Sequence, residues 1–432
     1  MIRFVLADLR RLWAGSLVVV LLVALATALG VAVTLQERAL RLGSARAADK
    51  FDLVVGAAGS ETQLVLSSIF LQPSPLPLLP GKVLRDLAED PRVAWAAPVG
   101  FGDNVDGYPV VGTTTVLIGG AGGGLAEGRA FTAGAEAVIG SAVPFSLDHR
   151  LKPMHGLAGE GGHTHDEIAY RVVGRMAPTG TPWDRAILVP IEAVWSVHGM
   201  AAHADHDHEG EGAHAAAEAH DGHDGHDHAG HDRAHEHDHD HDAPAALGGP
   251  WSAETPGVPA ILVKPKTFAD AYKLRGEYRS GTTLAVFPGE VLTALYATLG
   301  DAKAVLGAVA IGAQALVAAA ILLVTVVHVS QRRRQIGALR ALGAPRLALF
   351  GIVWTELFLL VGGGILIGIG LGYGAARVLS GLFARESGVV LPVEFARGDV
   401  NLLVVLLGVS AVLAALPAWM AYRQPPAAAL RA

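Results

Sequence analysis

Residues that could bind metal ions are concentrated in one stretch of the chain, residues 203–242. This insert holds thirteen of the nineteen histidines together with nine Asp and four Glu. Neutral imidazole binds borderline metals such as Zn²⁺, Ni²⁺ and Cu²⁺, and carboxylates complete the donor set. The pattern therefore predicts a divalent transition-metal site. The candidate ligands are His206, His208, His223, His226, His228, His235, His237, His239 and His241.

We expect the His/Asp-rich insert to be disordered without metal, because its polar composition cannot bury a hydrophobic core. The alternative is a solvated low-complexity loop whose metal affinity is incidental. A weaker candidate pair, His163 and His165, lies beside Asp166, where an ordinary surface loop is the alternative. The chain has no cysteine, which excludes disulfides, Cys-ligated zinc and a thiol nucleophile.

The charge of the chain is unevenly distributed. The net charge is −7, but the insert alone, with one arginine against thirteen acidic residues, contributes −12. The remaining residues therefore carry +5. Overall, 51% of the residues are hydrophobic and the mean hydropathy is +0.41. This composition is typical of a membrane protein with one acidic insert and argues against a nucleic-acid binder.

Four apolar segments are long enough to cross a bilayer, which takes roughly 20 helical residues. Residues 1–35 comprise a cytoplasmic segment and the first transmembrane helix, for which a cleaved signal peptide is the alternative. The other three predicted spans are 303–330, 347–376 and 400–423. The predicted fold class is thus a membrane protein with one N-terminal and three C-terminal helices, separated by a large α+β domain.

The short loops set the predicted orientation. Residues 331–346 contain five arginines and no acidic residue, so this loop is expected on the cytoplasmic side. Residues 377–399 then form an outer loop, and residues 424–432 a cytoplasmic tail. The large domain, residues 36–302, lies outside the membrane. The domain is thus expected on the outer side of a membrane that the chain crosses several times.

Within the outer domain, short runs of β-branched residues punctuated by Gly and Pro predict strands. These runs are 51–55, 108–112 continuing into 113–118, 170–174, 186–190 and 260–263. Helices are predicted at 83–89 and 268–279. Residues 36–49 and 288–299 are expected to extend the first and second membrane helices outwards as stalks, with ordinary amphipathic packing as the alternative.

Three motifs follow in order near the C-terminal end. Residues 336–344 read Ile-Gly-Ala-Leu-Arg-Ala-Leu-Gly-Ala, residues 356–364 read Glu-Leu-Phe-Leu-Leu-Val-Gly-Gly-Gly, and residues 417–431 end in Ala-Leu-Arg. Together they resemble the motifs of a MacB/LolC/FtsX-type (type VII) ABC transporter permease subunit. The resemblance covers the topology of the whole chain and is sharpest over 328–432. It implies that the membrane is the bacterial cytoplasmic (inner) membrane, with the large domain on the periplasmic side. One departure is Gln331, where the family carries Glu.

The resemblance implies that residues 331–346 form a cytoplasmic coupling helix, which docks on a separate ABC ATPase subunit. The coupling residues would be Arg332, Arg333, Arg334, Ile336, Gly337, Leu339, Arg340, Leu342 and Gly343. The alternative is a positive-inside loop without a partner. The chain has no Gly-x4-Gly-Lys-Ser/Thr phosphate loop, so ATP would be bound by the partner only, and the chain is not itself an enzyme.

Further partners follow from the same resemblance. They are a second permease copy, as a homodimer or heterodimer, the lipid bilayer, and a periplasmic metal-binding protein. No covalently bound cofactor and no nucleic acid are expected. The resemblance also extends to a subgroup of such permeases that is linked to zinc limitation, which agrees with the His/Asp-rich insert.

Two other functions compete with an ABC permease: a secondary metal-ion transporter and a membrane-anchored metal-binding receptor. A conduction path needs ligands at membrane depth, and the predicted spans offer only Glu356 and His328. This argues against the secondary transporter. An intramembrane acid is a functional candidate by default, and for Glu356 a structural or coupling role is favoured over a proton or ion site.

Overall fold

The computed structural model describes residues 9–10, 13–72, 74–120, 123–155, 169–200, 247–298, 308, 311–312, 315, 319 and 345–423. The insert 203–242 and residues 331–344 lie outside this part of the chain, as does most of the predicted span 303–330. The first described helix, α1 (Trp13–Ala48), is 36 residues long and uninterrupted. The first span and its predicted outward extension are therefore one continuous helix.

The outer domain follows α1 and alternates short strands with short helices. Its elements in chain order are β1 (Leu53–Ala57), α2 (Glu61–Ser68), α3 (Gly81–Glu89), β2 (Val93–Val105), β3 (Tyr108–Thr113), α4 (Thr115–Gly119), β4 (Leu125–Gly128), β5 (Glu136–Ile139), β6 (Arg150–Leu151), β7 (Met154–His155), β8 (Tyr170–Met176), β9 (Ile187–Pro190), α5 (Ile191–Val197), β10 (Ala260–Pro265), α6 (Phe268–Glu277), β11 (Thr283–Val286) and α7 (Pro288–Thr298).

These strands form an eleven-stranded sheet among the described residues, in the order β11-β1-β10-β2-β3-β9-β5-β8-β4. Strands β6 and β7 pair with β8 and β2 outside that path. The strand β2 is 13 residues long and joins the two halves, because it pairs with β10 at one end and with β3 at the other. The pairs β3–β9 and β5–β8 are parallel, and the remaining pairs are antiparallel.

Both faces of the sheet are buried. On β1, Leu53 and Val55 belong to one core and Val54 to the other, as expected for side chains that alternate across a strand. The second core also contains Ala48 at the end of α1 and Val291 and Leu292 of α7. The two helices predicted as stalks, α1 and α7, therefore pack into the domain, which agrees equally with the alternative of ordinary amphipathic packing.

Two long helices follow, α8 (Arg346–Ser387) and α9 (Arg397–Arg423). Three helices of the described residues are long and apolar enough to cross a membrane, by length and composition: Trp13–Ala48, Leu347–Ser387 and Arg397–Leu416. An N-terminal apolar helix, an α+β domain and further apolar helices thus occur in the predicted order. The count of four helices stays a prediction, because the second lies outside the described part.

Two local predictions are wrong. The run 113–118 was expected to continue a strand, but residues 115–119 form the helical turn α4, which tucks Leu117 and Ile118 into the second core. The predicted outer loop 377–399 is also too long, because α8 continues to Ser387 and α9 begins at Arg397. On one side these extra turns contact α1 through Ser380 and the outer domain through the Arg385 carbonyl oxygen, while most of their side chains, such as Val378 and Leu382, are exposed.

Candidate functional site: the junction of the long helices and the outer domain

Most of the predicted site residues lie outside the described part of the chain. This applies to the coupling residues between 332 and 343, to the histidines of the insert, and to His163 and His165. Glu356 is described: it lies on α8 and is 9% exposed. No group of three or more His, Asp or Glu side chains suited to a metal occurs among the described residues. What the structure does describe is how the long helices meet the outer domain.

The helices α1 and α8 pack closely along three glycines. A Cβ atom at Gly364 would lie 2.7 Å from Val23 Cβ, and at Gly368 it would lie 2.6 Å from the carbonyl oxygen of Ala24. At Gly372 the same atom would lie 2.6 Å from the carbonyl oxygen of Ala28. Small residues four apart let two helix backbones approach, which is a common packing mode in membranes. The two helices therefore form one tightly packed pair.

Polar contacts continue this pairing at the outer end. The Ser380 hydroxyl donates to Gln36 Oε1 at 3.2 Å, joining α8 to α1. The side chains of Arg38 and Asp399 are 19% and 15% exposed and form an ion pair that joins α1 to α9. Farther along α1, the hydroxyls of Ser44 and Tyr296 lie 2.6 Å apart and connect it to α7. Thus α1 contacts each of the other long or stalk helices that the structure describes.

A turn of the outer domain, residues 179–185, meets the end of α8. Asp184 is buried and shapes this turn, since its carboxylate accepts hydrogen bonds from the amides of Thr179 and Gly180, both at 2.8 Å, and from the Thr179 hydroxyl at 2.7 Å. Gly180 has a φ of +71°, a left-handed conformation that favours glycine. The Gly, Pro and Asp residues of 178–184 are a sequence signal for such a turn, but they do not indicate its contact with α8.

The connection between α8 and α9 is seated against this turn. Arg185 Nη1 donates to the carbonyl oxygen of Arg385 at 2.6 Å, and the Val390 amide donates to the Gly180 carbonyl oxygen at 3.3 Å. Gly388 ends α8 in a left-handed conformation, with a φ of +75°. A side chain there would lie 3.0 Å from Pro182 Cα, so glycine is required for both conformation and space.

A cavity of about 290 Å³ opens beside this contact. Its walls come from α1, α7, the outer domain and the end of α8, and they are mostly apolar. Arg185 and Glu386 are the charged residues of its lining. The cavity marks the place where four parts of the chain converge without complete packing.

The ends of the region that contains the insert are held at one place on the outer domain. On the entering side, the Met200 amide donates to the Trp195 carbonyl oxygen at 2.8 Å. On the returning side, the Gly248 amide donates to Glu192 Oε1 at 2.8 Å. The Trp195 and Trp251 rings also meet edge to face at 5.9 Å. Both ends of the region are thus fixed to α5.

Comparison with known proteins adds a family assignment for part of the chain. Residues 307–426 match the family model described as FtsX-like permease C-terminal. The C-terminal part of the chain is therefore similar to ABC permeases of this type. That range contains the predicted coupling segment together with all of α8 and α9.

The chain also has a distant structural match. The periplasmic region of MacB from Actinobacillus actinomycetemcomitans is 10% identical, with a TM-score of 0.32, and the match covers 57% of this chain and 95% of that one. No curated protein matches the chain.

Proposed function

We propose that the chain is the transmembrane subunit of an ABC transporter of the FtsX/MacB type, and that a separate ATPase subunit drives conformational change in its outer domain. The observation that carries the proposal is the match of residues 307–426 to FtsX-like permeases. The matched range includes the Arg-rich segment 331–346, which the resemblance implies to be the coupling helix. The three long apolar helices and the α+β domain between the first and the others agree with it.

The decisive experiment is purification of the tagged chain from its native membrane in detergent, followed by identification of the proteins bound to it. We expect an ABC ATPase, and we expect Arg340→Ala or Gly343→Val to abolish its retention. The matched control is Arg377→Ala, which removes a positive charge at the outer end of α8. Retention of the ATPase by the coupling variants would contradict the assigned segment. Absence of any ABC ATPase would contradict the proposed function.

We further propose that the transport process is linked to zinc or another transition metal, bound by the insert 203–242. Thirteen histidines and thirteen carboxylates in forty residues support this assignment. The same observation keeps a metal-binding receptor as the second candidate. A metal-binding receptor would have no ATPase partner, whereas an ABC permease would have one. The purification experiment therefore distinguishes these two functions.

The anchoring of the surrounding region on α5 allows a clean test of the insert. Because Met200 and Gly248 are each hydrogen-bonded to that helix, deletion of residues 203–242 leaves both anchors in place. The deletion variant should keep the fold and lose its binding of several Zn²⁺ ions, measured by titration calorimetry. Binding to the full chain should weaken below about pH 6, because protonated imidazole does not ligate. Unchanged zinc stoichiometry after deletion would refute the assignment.

A further inference from the structure

One helix connects the predicted coupling segment to the outer domain. The helix α8 begins at Arg346, the last residue of that segment, and continues for 42 residues to Ser387. At 1.5 Å per residue its length is about 63 Å, well beyond the roughly 30 Å of a bilayer core. Its far end therefore reaches the outer domain, where it meets the turn 179–185.

At that end of α8, each of the two contacting segments is held in place by its own interactions. Asp184 holds the turn 179–185 by three hydrogen bonds. On the other side, the residues after α8 are wedged against α1, where a Cβ atom at Gly43 would lie 2.8 Å from the Val390 carbonyl oxygen. Leu391 is 6% exposed and packs in a cluster with Ala39. Two preorganised surfaces therefore meet, so a displacement of one must move the other.

Arg185 supplies a side-chain hydrogen bond between the two surfaces, in addition to the backbone bond from Val390 to Gly180. Its guanidinium lies 4.7 Å from the centre of the Tyr108 ring and donates to the carbonyl oxygen of Arg385 in the last turn of α8. Carbonyl groups in the last turn of a helix lack partners within the helix and carry the negative end of its dipole, so a cation is favoured there. The side chain of Arg185 thus binds the end of α8, while its backbone belongs to the outer domain.

We propose that Arg185 is a positioning residue for energy coupling, through which movement of α8 is passed directly to the turn 179–185. This route is additional to the stalk helices α1 and α7, and it rests on the proposed function. The contact works as a fixed link that stays closed while the helix moves. Breaking it should strongly reduce the response of the turn 179–185, and closing it covalently should restore that response.

The chain offers a direct test because it contains no cysteine. A Cβ atom at Gly180 would lie 3.8 Å from Val390 Cβ, within the range of a disulfide. The variants are Arg185→Ala alone, the pair Gly180→Cys and Val390→Cys alone, and all three substitutions together. Each is measured oxidised and reduced. Because Gly180 has a φ of +71°, the cysteine pair alone is the reference for the effect of a side chain at that position. Arg185→Lys keeps a donor, and Arg279→Ala is the control on the surface of the same domain, where Arg279 pairs with Glu61.

The readout is hydrogen exchange of residues 170–190 in the permease–ATPase complex, with and without a non-hydrolysable ATP analogue. We expect Arg185→Ala to reduce the nucleotide-dependent change in this region about fivefold or more, while the change within α8 persists. The oxidised disulfide should restore the change, and Arg185→Lys and Arg279→Ala should retain it. The hydrogen-exchange response of a variant is compared only where that variant still binds the ATPase subunit.

The outcomes separate this inference from the proposed function. Full coupling in Arg185→Ala, or an oxidised disulfide that fails to restore it, overturns the role of Arg185 and leaves the ABC assignment standing. If the unmodified chain retains no ABC ATPase, or shows no response to nucleotide, the proposed function fails and this inference fails with it. A merely structural Arg185 would lower the unfolding temperature without changing the response to nucleotide.

Discussion

Arg38 and Asp399 join the first and last long helices through two parallel hydrogen bonds. Arg38 Nη1 lies 2.6 Å from Asp399 Oδ2, and Nη2 lies 2.9 Å from Oδ1. The same carboxylate accepts from the Ala396 amide at 2.7 Å, which orders the start of α9. Paired guanidinium and carboxylate groups of this geometry are among the stronger ion pairs in proteins. This pair therefore fixes where α9 stands relative to α1.

Removing one partner of this ion pair should destabilise the helix assembly. We expect Arg38→Ala to lower the free energy of unfolding by about 2 kcal/mol, because the partly buried Asp399 loses its charged donors. The measurement is denaturant-induced unfolding in lipid nanodiscs. The control is Arg41→Ala, which breaks an exposed pair with Glu37 at 3.7 Å and should cost less than about 0.5 kcal/mol. Equal effects of the two variants would contradict this ranking.

The glycine packing between α1 and α8 can be tested with one added methyl group. In Gly368→Ala the new Cβ would lie 2.6 Å from both the Ala24 carbonyl oxygen and Thr27 Cβ. We expect the helix pair to lose about 1 to 3 kcal/mol of stability. At Gly370, two residues along the same helix, no atom lies within 4 Å, so Gly370→Ala should be neutral or stabilising by up to about 1 kcal/mol. A loss at both positions would refute close packing at Gly368.

The sequence was sufficient for features that depend on local composition. The apolar segments predicted α1, α8 and α9, and the β-branched runs at 170–174, 186–190 and 260–263 lie on observed strands. The errors arose where tertiary contacts override local pattern. The β-branched run ending at Ile118 turns into a helix to bury its side chains.

The candidate site likewise has parts that the local sequence indicates and parts that depend on tertiary contacts. Composition predicts the metal-binding insert, and the family resemblance implies the coupling segment; both stay predictions because the insert and residues 331–344 lie outside the described residues. The junction was not foreseen, since the partners of its hydrogen bonds are 200 or more residues apart, as with Arg185 and Arg385. Only the three-dimensional fold brings such residues together. The glycines at 364, 368 and 372 recur every four residues, but this spacing does not indicate which helix they pack against.

The outer domain should show a pH-dependent stability that depends on Glu136. This carboxylate is 5% exposed and accepts hydrogen bonds from Arg129, Arg171 and the Thr132 amide. The bond from Arg129 makes the largest contribution to lowering the pKa of Glu136 to about 2. Since the ordinary value is about 4.3, the stabilisation is complete above that pH and is lost as the pH falls toward 2.

We therefore expect Glu136→Gln to destabilise the domain by about 2 kcal/mol at pH 7, less than the full shift implies because both arginines are half exposed. The difference from the unmodified protein should shrink between about pH 4.5 and pH 2. Urea unfolding followed by tryptophan fluorescence measures it. Glu127→Gln is the control, as Glu127 is exposed and lies 3.8 Å from Arg175. A destabilisation by Glu136→Gln that is the same at pH 2 and pH 7 would exclude this ionic contribution.

Substitutions of Glu356 can distinguish a structural role of this residue from a role in ion conduction. It is buried on α8, two residues from Trp354, whose indole donates to the Ala411 carbonyl oxygen of α9 at 2.9 Å. An amide of the same shape can keep hydrogen bonds but cannot carry a charge or exchange a proton. We expect Glu356→Gln to retain ATPase binding and the nucleotide response, and Glu356→Leu to lower stability by about 1 to 3 kcal/mol through polar partners left unpaired. If Glu356→Gln folds and retains the ATPase but loses transport, the carboxylate itself acts in an ion or proton pathway.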